Sequence, residues 1–298
     1  NGMPVYNVPV EIQKGGSTVW KAFSDNLGRA ELWIGLHEDG LQPNLSTYTL
    51  LVDNSPVNVT LMPAEQGIHR INMGRTVSNS TRVELAFIVD ATGSMSDELE
   101  FLKDDLMDVI NTVSNNNTSL NILTSTVFYR DVDDDYVVRH SGFSSEIDHT
   151  LAFINQQSAD GGGDFPEAVH TALATALNEL QWSSDSRTRI AFMLLDAPPH
   201  HEPQIIDKIQ SLTKLAAGKG VKLIPITASG IDKETEFLMR FMAIATNGTY
   251  VFITDDSGIG NDHLEASVGS YEVEKLNALL VRLIEKYSQW PNTTGNAP

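Results

Sequence analysis

The chain contains no cysteine. Disulfides and thiolate metal sites are thereby excluded, and any bound metal must sit on oxygen or imidazole. No apolar run approaches the roughly 18 residues that a membrane-spanning helix needs, so no membrane insertion is expected from this chain. Positive charge is also scarce, with 20 Lys and Arg against 39 Asp and Glu and a net charge of −19. The deficit is uneven: residues 1 to 78 carry 5 basic against 7 acidic residues, and the remainder carries 15 against 32. Such a surface repels nucleic acid and anionic lipid; it suits solubility or the capture of cations. The opening "NGMPVYNVPV" has neither the basic nor the apolar region of a secretory leader.

What is present falls into two textures. Up to about Pro63, short β-type runs alternate with turn signals: "VPVEIQ", "STVWKAF", "RAELWIGL", "STYTLLV" and "VNVTLMP", separated by Gly15-Gly16, Asn26-Leu27-Gly28, Asp39-Gly40 and Asn54-Ser55-Pro56. This pattern predicts a small β-sandwich, with residues 64–80 as a linker and the domain division at 77/78. "FSDNLGRAELWIGL" resembles the hairpin of transthyretin-like and carboxypeptidase-regulatory-like domains.

From Arg82 onward, strands and helices take turns. "RVELAFIVD" reads as a buried strand, and the segment after it places Leu99, Leu102, Leu106, Val109, Ile110 and Val113 at three- and four-residue steps, the period of an amphipathic helix. The alternation continues to "EVEKLNALLVRLIEKYSQW". It predicts an α/β, Rossmann-like, doubly wound and mostly parallel sheet with helices on both faces.

Ligands of such sheets gather beyond the carboxyl ends of the strands. Three of those ends carry oxygen donors: Asp90, Thr92 and Ser94 in "VDATGSMS", Asp164 in "ADGGGDFPEA", and Asp196 in "MLLDAPPHH". Three carboxylates and two hydroxyls form a set suited to a hard divalent cation such as Mg²⁺, with Mn²⁺ or Ca²⁺ as substitutes. The glycines at 161, 162 and 163 give their loop the freedom to approach closely. Taken singly, Thr92, Ser94 and Asp164 read better as helix caps than as ligands, and only together on three strand ends do they point to a shared metal. A zinc reading of His200, His201 and Glu202 lacks the spacing of a zinc motif. "RDVDDDY" lacks the glycine and distal glutamate of an EF-hand loop and reads as a solvated turn. His200 and Asp131 are expected at the rim of the cation site or behind its ligands.

Residues 82 to about 289 resemble a von Willebrand factor type A domain, through "Asp90-Ala91-Thr92-Gly93-Ser94", which matches the family's Asp-x-Ser/Thr-x-Ser metal-ion-dependent adhesion motif, and through "MLLDAPP". "GGGDFPEA", "YRD" and "SGIG" resemble its hemicentin-like and bacterial branch. The resemblance implies Mg²⁺ or Mn²⁺ on that edge, a protein ligand docked through the metal, no catalysis, and a place on the cell envelope or outside the cell. Two other readings share the same oxygens: metal-assisted hydrolysis, and an assembly domain whose metal only ties loops together. Asp164 stands where integrin-type members of the family have a threonine. With three ionised aspartates the site supplies −3 against +2, and it attracts an incoming carboxylate less than a two-aspartate site does.

Overall fold

A computed structural model describes residues 3–36, 42–74, 80–163, 166–228, 231–253 and 275–290. The N-terminal region contains β1 (Pro9–Lys14), β2 (Ser17–Phe23), β3 (Tyr48–Val52) and β4 (Ser55–Val57), which form one antiparallel sheet in the order β2-β1-β3-β4. Its apolar face gathers Ile12, Trp20, Tyr48, Leu50 and Val52. Among the described residues no second sheet faces it. "RAELWIGL" and most of "VNVTLMP", expected as strands, run without ladder pairing, although Leu32, Val59 and Leu61 still pack on the sheet's apolar clusters. Burial of alternate side chains, the signal both segments share with strands, is satisfied here by irregular backbone laid over a sheet.

The larger region contains β5 (Arg82–Asp90), α1 (Ser96–Asn116), β6 (Asn121–Tyr129), β7 (Val138–His140), α2 (Ile147–Ile154), α3 (Val169–Asn178), β8 (Thr188–Leu195), α4 (Pro203–Lys219), β9 (Val221–Thr227), α5 (Lys233–Ala245), β10 (Val251–Phe252) and α6 (Leu276–Ser288). Six strands make a sheet of order β10-β9-β8-β5-β6-β7, parallel except for the edge strand β7. Central β5 is buried from Val83 to Asp90. Its side chains enter two separate cores: Leu85, Phe87 and Val89 join α1, α2 and α6, while Ala86 and Ile88 join α3, α4 and α5. Alternation of side chains across the pleat explains why one unbroken apolar run serves both faces.

The small sheet sits at the amino-terminal ends of the parallel strands. Asn7 accepts from the Arg189 guanidinium at 3.2 Å, Asn26 Nδ2 donates to the carbonyls of Lys286 and Gln289 at 3.0 and 2.8 Å, and β2 packs on α4. The opposite end of the larger sheet, where Asp90 and Asp196 lie, is left clear of it.

Candidate metal centre

Parallel pairing of β5 with β8, in register from Val83↔Thr188 to Val89↔Leu194, brings Asp90 and Asp196 to the same edge of adjacent strands. Asp90 is fully buried. Its Oδ1 accepts from the Thr92 amide at 2.9 Å and from the Thr92 hydroxyl at 2.7 Å, so the turn after β5 folds back on its own carboxylate. The capping alternative fails for Thr92: it begins the short 3-10 turn Gly93–Met95, yet its side chain caps nothing there. Ser94 stands beside Asp196 and opposes the rise that burial causes in that carboxyl's pKa.

Two oxygens stand out. Asp90 Oδ2 and Asp196 Oδ1 are both shielded from solvent and have no hydrogen-bond partner. A buried carboxylate oxygen left in this state costs free energy that a hydrogen bond or a cation would recover. Burial pushes the Asp90 carboxyl up to about 7, further raised by the charges of Asp196 and Asp134. The Asp196 carboxyl is raised too, chiefly by burial. These are groups deprived of a counter-charge.

The glycine loop closes one side. Gly93 N–H donates to the Gly161 carbonyl at 3.3 Å, and Asp134 accepts from the Gly162 amide at 3.2 and 3.3 Å. Gly161 and Gly162 have φ of +81° and +77°. A Cβ on Gly161 would collide with the Asp134 carboxylate, and one on Gly162 would lie 3.3 Å from the Thr92 Cβ. The positive φ at both positions favours glycine, and a side chain at Gly161 would also displace the Asp134 carboxylate from its contact with Gly162. Beyond the loop, Glu167 N–H donates to the Pro198 carbonyl at 2.9 Å, which ties the loop exit to the turn after β8. Asp164 and Phe165 lie outside the described residues.

The rim residues occupy a different bond. Asp131 Oδ1 pairs with His200 Nε2 at 2.8 Å, and the neighbouring His201 turns instead toward Glu234, at 3.6 Å. The two adjacent histidines thus point to different partners, as expected for a run without zinc spacing. Among the described residues no group of three or more His, Asp or Glu side chains is arranged to hold a metal. The donor set at the strand ends consists of two carboxylates, Asp90 and Asp196, and the hydroxyls of Thr92 and Ser94.

Three further residues of this edge sit within stretches singled out in the sequence, Arg130 in "YRD", Asp134 in "RDVDDDY" and Glu167 in "GGGDFPEA", but no role for them individually can be read there. Arg130 is buried, donates to the carbonyls of Ala91 at 3.1 Å and Ser158 at 2.8 Å, and lies over the Tyr136 ring. It joins the Asp90 turn to the irregular segment between α2 and the glycine loop. Asp134, one acid of the expected solvated turn, is the clamp on Gly162. Glu167 is buried near the same edge, two residues ahead of α3, which begins at Val169. "DDSGIGND", the remaining glycine motif, lies outside the described residues.

The chain is similar to known proteins over part of its length. The chain is 36% identical over 131 residues to a putative ariadne-like RING finger protein of Acanthamoeba polyphaga mimivirus, covering 44% of this chain and 12% of that protein. It is 29% identical over 130 residues to an alpha-protein kinase of Dictyostelium discoideum, covering 42% of this chain and 20% of the kinase. The chain thus spans a small fraction of either relative. Among solved structures, a conserved hypothetical protein, BatB, of Bacteroides thetaiotaomicron aligns with 69% of this chain and 98% of its own, at 14% identity and a TM-score of 0.45. The model of the von Willebrand factor A domain matches residues 84–259, more than half of the sequence, and the chain belongs to that family.

Proposed function

We propose that this protein is a metal-dependent protein-binding module, in which Asp90, Thr92, Ser94 and Asp196, joined by Asp164, hold a divalent cation at the carboxyl edge of the parallel sheet. The observation that carries this reading is the pair of buried, unpartnered oxygens, Asp90 Oδ2 and Asp196 Oδ1. Two carboxylates and two hydroxyls are hard oxygen donors, the class that Mg²⁺ and Mn²⁺ prefer. A bound cation would supply an electrophilic point on an otherwise acidic edge. A partner's oxygen would meet it there.

The protein's own residues prepare that point. Thr92 orients Asp90 through two hydrogen bonds, Arg130 fixes the turn from behind, and Asp134 holds the glycine loop against Thr92. Asp164, if it enters the set, raises its charge to −3 and disfavours a carboxylate ligand. The preferred partner group is then a neutral oxygen, a carbonyl or hydroxyl, instead of an acidic side chain. The N-terminal region, divided from the rest near residue 78, is a β module of transthyretin-like or carboxypeptidase-regulatory-like kind that supports the base and leaves the metal edge open. An adhesive role at a cell envelope or outside a cell fits this design, and no residue is assigned to catalysis.

The Asp131–His200 pair favours a second reading, metal-assisted hydrolysis, because a carboxylate that orients an imidazole prepares it as a general base. Calorimetric titration with Mg²⁺ and Mn²⁺ tests the binding reading, with acetate titrated afterwards as a carboxylate probe. The expected results are one cation per chain, weaker cation binding by Asp164→Thr, and stronger acetate uptake by that variant. Equal metal affinity and equal acetate uptake would remove Asp164 from the site. Hydrolysis of phosphoester or peptide substrates that requires both Mg²⁺ and His200 would favour the second reading.

A further inference from the structure

Seven Asn-x-Ser/Thr triplets occur in the chain, at Asn44, Asn58, Asn79, Asn116, Asn117, Asn247 and Asn292. Chance pairing of 20 asparagines with 47 serines and threonines in 298 residues would give about three. Their placement is as informative as their number. None of the described five lies on the edge that bears Asp90 and Asp196. Asn44 precedes β3 and Asn58 follows β4, on the half of the small sheet away from α4. Asn116 and Asn117 end α1 where the chain turns into the start of β6, and Asn247 follows α5 beside the start of β9; both turns are at the base.

The five differ in what a sugar would meet. Asn44 is exposed, and its Oδ1 accepts from the Ser46 amide and hydroxyl at 3.2 and 2.8 Å, so the carbonyl of the triplet already engages its own hydroxyl. Asn58 and Thr60 are both exposed. Among the described residues, neither Asn44 Nδ2 nor Asn58 Nδ2 has a hydrogen-bond partner. Asn116 and Asn117 both donate from Nδ2 to Glu285 Oε1, at 2.9 and 3.2 Å, and a sugar there must compete with that contact. Asn247 is worse placed. It has φ of +56°, donates from Nδ2 to Asp25 Oδ2 at 3.1 Å, and fills the junction between the small sheet and the base. A glycan on its Nδ2 would have to lift the N-terminal region away.

We infer that the protein carries N-linked glycans on Asn44 and Asn58 and none on Asn247, so that the small sheet is sheathed in sugar while the cation edge stays bare. In the reaction, Nδ2 forms a bond to the anomeric carbon of an oligosaccharide carried on a lipid pyrophosphate. The bond from that carbon to the pyrophosphate oxygen breaks, Nδ2 gives up one proton, and lipid pyrophosphate leaves. The modification places the described surface in a secretory lumen or beyond it. It rests on the triplets and their surroundings alone and does not depend on the metal reading.

Two measurements test it. For protein isolated from its own cells, a peptide N-glycosidase should increase mobility, and in ¹⁸O-water should convert Asn44 and Asn58 to labelled aspartate while Asn247 remains asparagine. For protein produced through a eukaryotic secretory route, Asn44→Gln and Asn58→Gln should each remove one mobility step, and Asn247→Gln none. Native protein with no glycosidase-sensitive shift overturns the inference, as does labelling at Asn247 or none at Asn44 and Asn58.

Discussion

Glu84 and Asp90 lie on one strand, six residues apart, and both are 0% exposed. Glu84, at the base, is saturated: Arg82 donates to Oε1 at 2.8 Å, the Ser183 amide reaches both oxygens at 3.0 and 3.1 Å, and the Ser186 hydroxyl donates to Oε2 at 2.7 Å. Asp90, at the top, has Thr92 on one oxygen and no hydrogen-bond partner on the other. A buried acid that the protein satisfies by itself is structural. Asp90 is left half satisfied, beside a partly buried Asp196 that also has one shielded oxygen without a hydrogen-bond partner, and this contrast is what the proposed cation reading rests on.

The largest expected effect breaks the base. Glu84→Ala strands Arg82 and the Ser183 and Ser186 donors, and should lower unfolding free energy by about 3 to 5 kcal/mol in denaturant titration, the usual cost of breaking a buried pair. Mg²⁺ affinity of the folded fraction should be unchanged.

The second effect is on pH. The folded Asp90 carboxyl titrates at about 7 against an ordinary value of 3.8. Between these values the unfolded chain has released its proton while the folded chain retains it, so the unfolded state binds fewer protons and stability falls as pH rises. The loss is complete above about pH 7 and is on the order of 4 kcal/mol, since each tenfold difference in proton affinity between the two states is worth about 1.4 kcal/mol. Asp196 adds to it in the same direction. Chemical denaturation of metal-free protein at pH 5 and pH 7.5 should show about 2 to 3 kcal/mol of this fall, the rest having been lost below pH 5, and Asp90→Asn should flatten it. Cation binding should show the opposite trend, strengthening as pH rises, because the cation takes the ionised form.

Arg130→Gln should weaken Mg²⁺ binding by about tenfold through loss of the brace on the Asp90 turn, the scale found for groups supporting metal ligands. Thermal unfolding without metal should move less than for Glu84→Ala. Asp131→Asn should have the smallest effect, less than threefold in cation affinity, because Asp131 is occupied by His200. A loss comparable to that of Asp90→Asn would instead place Asp131 among the ligands.

Much of this molecule is legible in its sequence. The apolar run of β5 with its terminal aspartate, the helical period of α1 and the alternation that follows declare a parallel sheet. Strand-end position alone brings Asp90 and Asp196 together. The rest depends on tertiary partners. Arg130 and Asp134 look like ordinary charges beside a loop until the glycines at 161 and 162 are set against them. "RAELWIGL" has the alternation of a strand, but only a neighbouring strand makes one, and here it covers a sheet instead. Glu167 is hidden because a helix pattern from Pro166 to Leu180 gives no sign that the first turn is pulled into pairing with Pro199.

The most direct test is isothermal calorimetry of Mg²⁺ into the intact protein at pH 7.5, beside Asp90→Asn and Asp196→Asn. A single site is expected in the parent chain and at least a hundredfold weaker binding in either variant, with both variants folded and no less stable than the metal-free parent. Undiminished Mg²⁺ binding by both variants, or no binding by the parent, would contradict the cation reading.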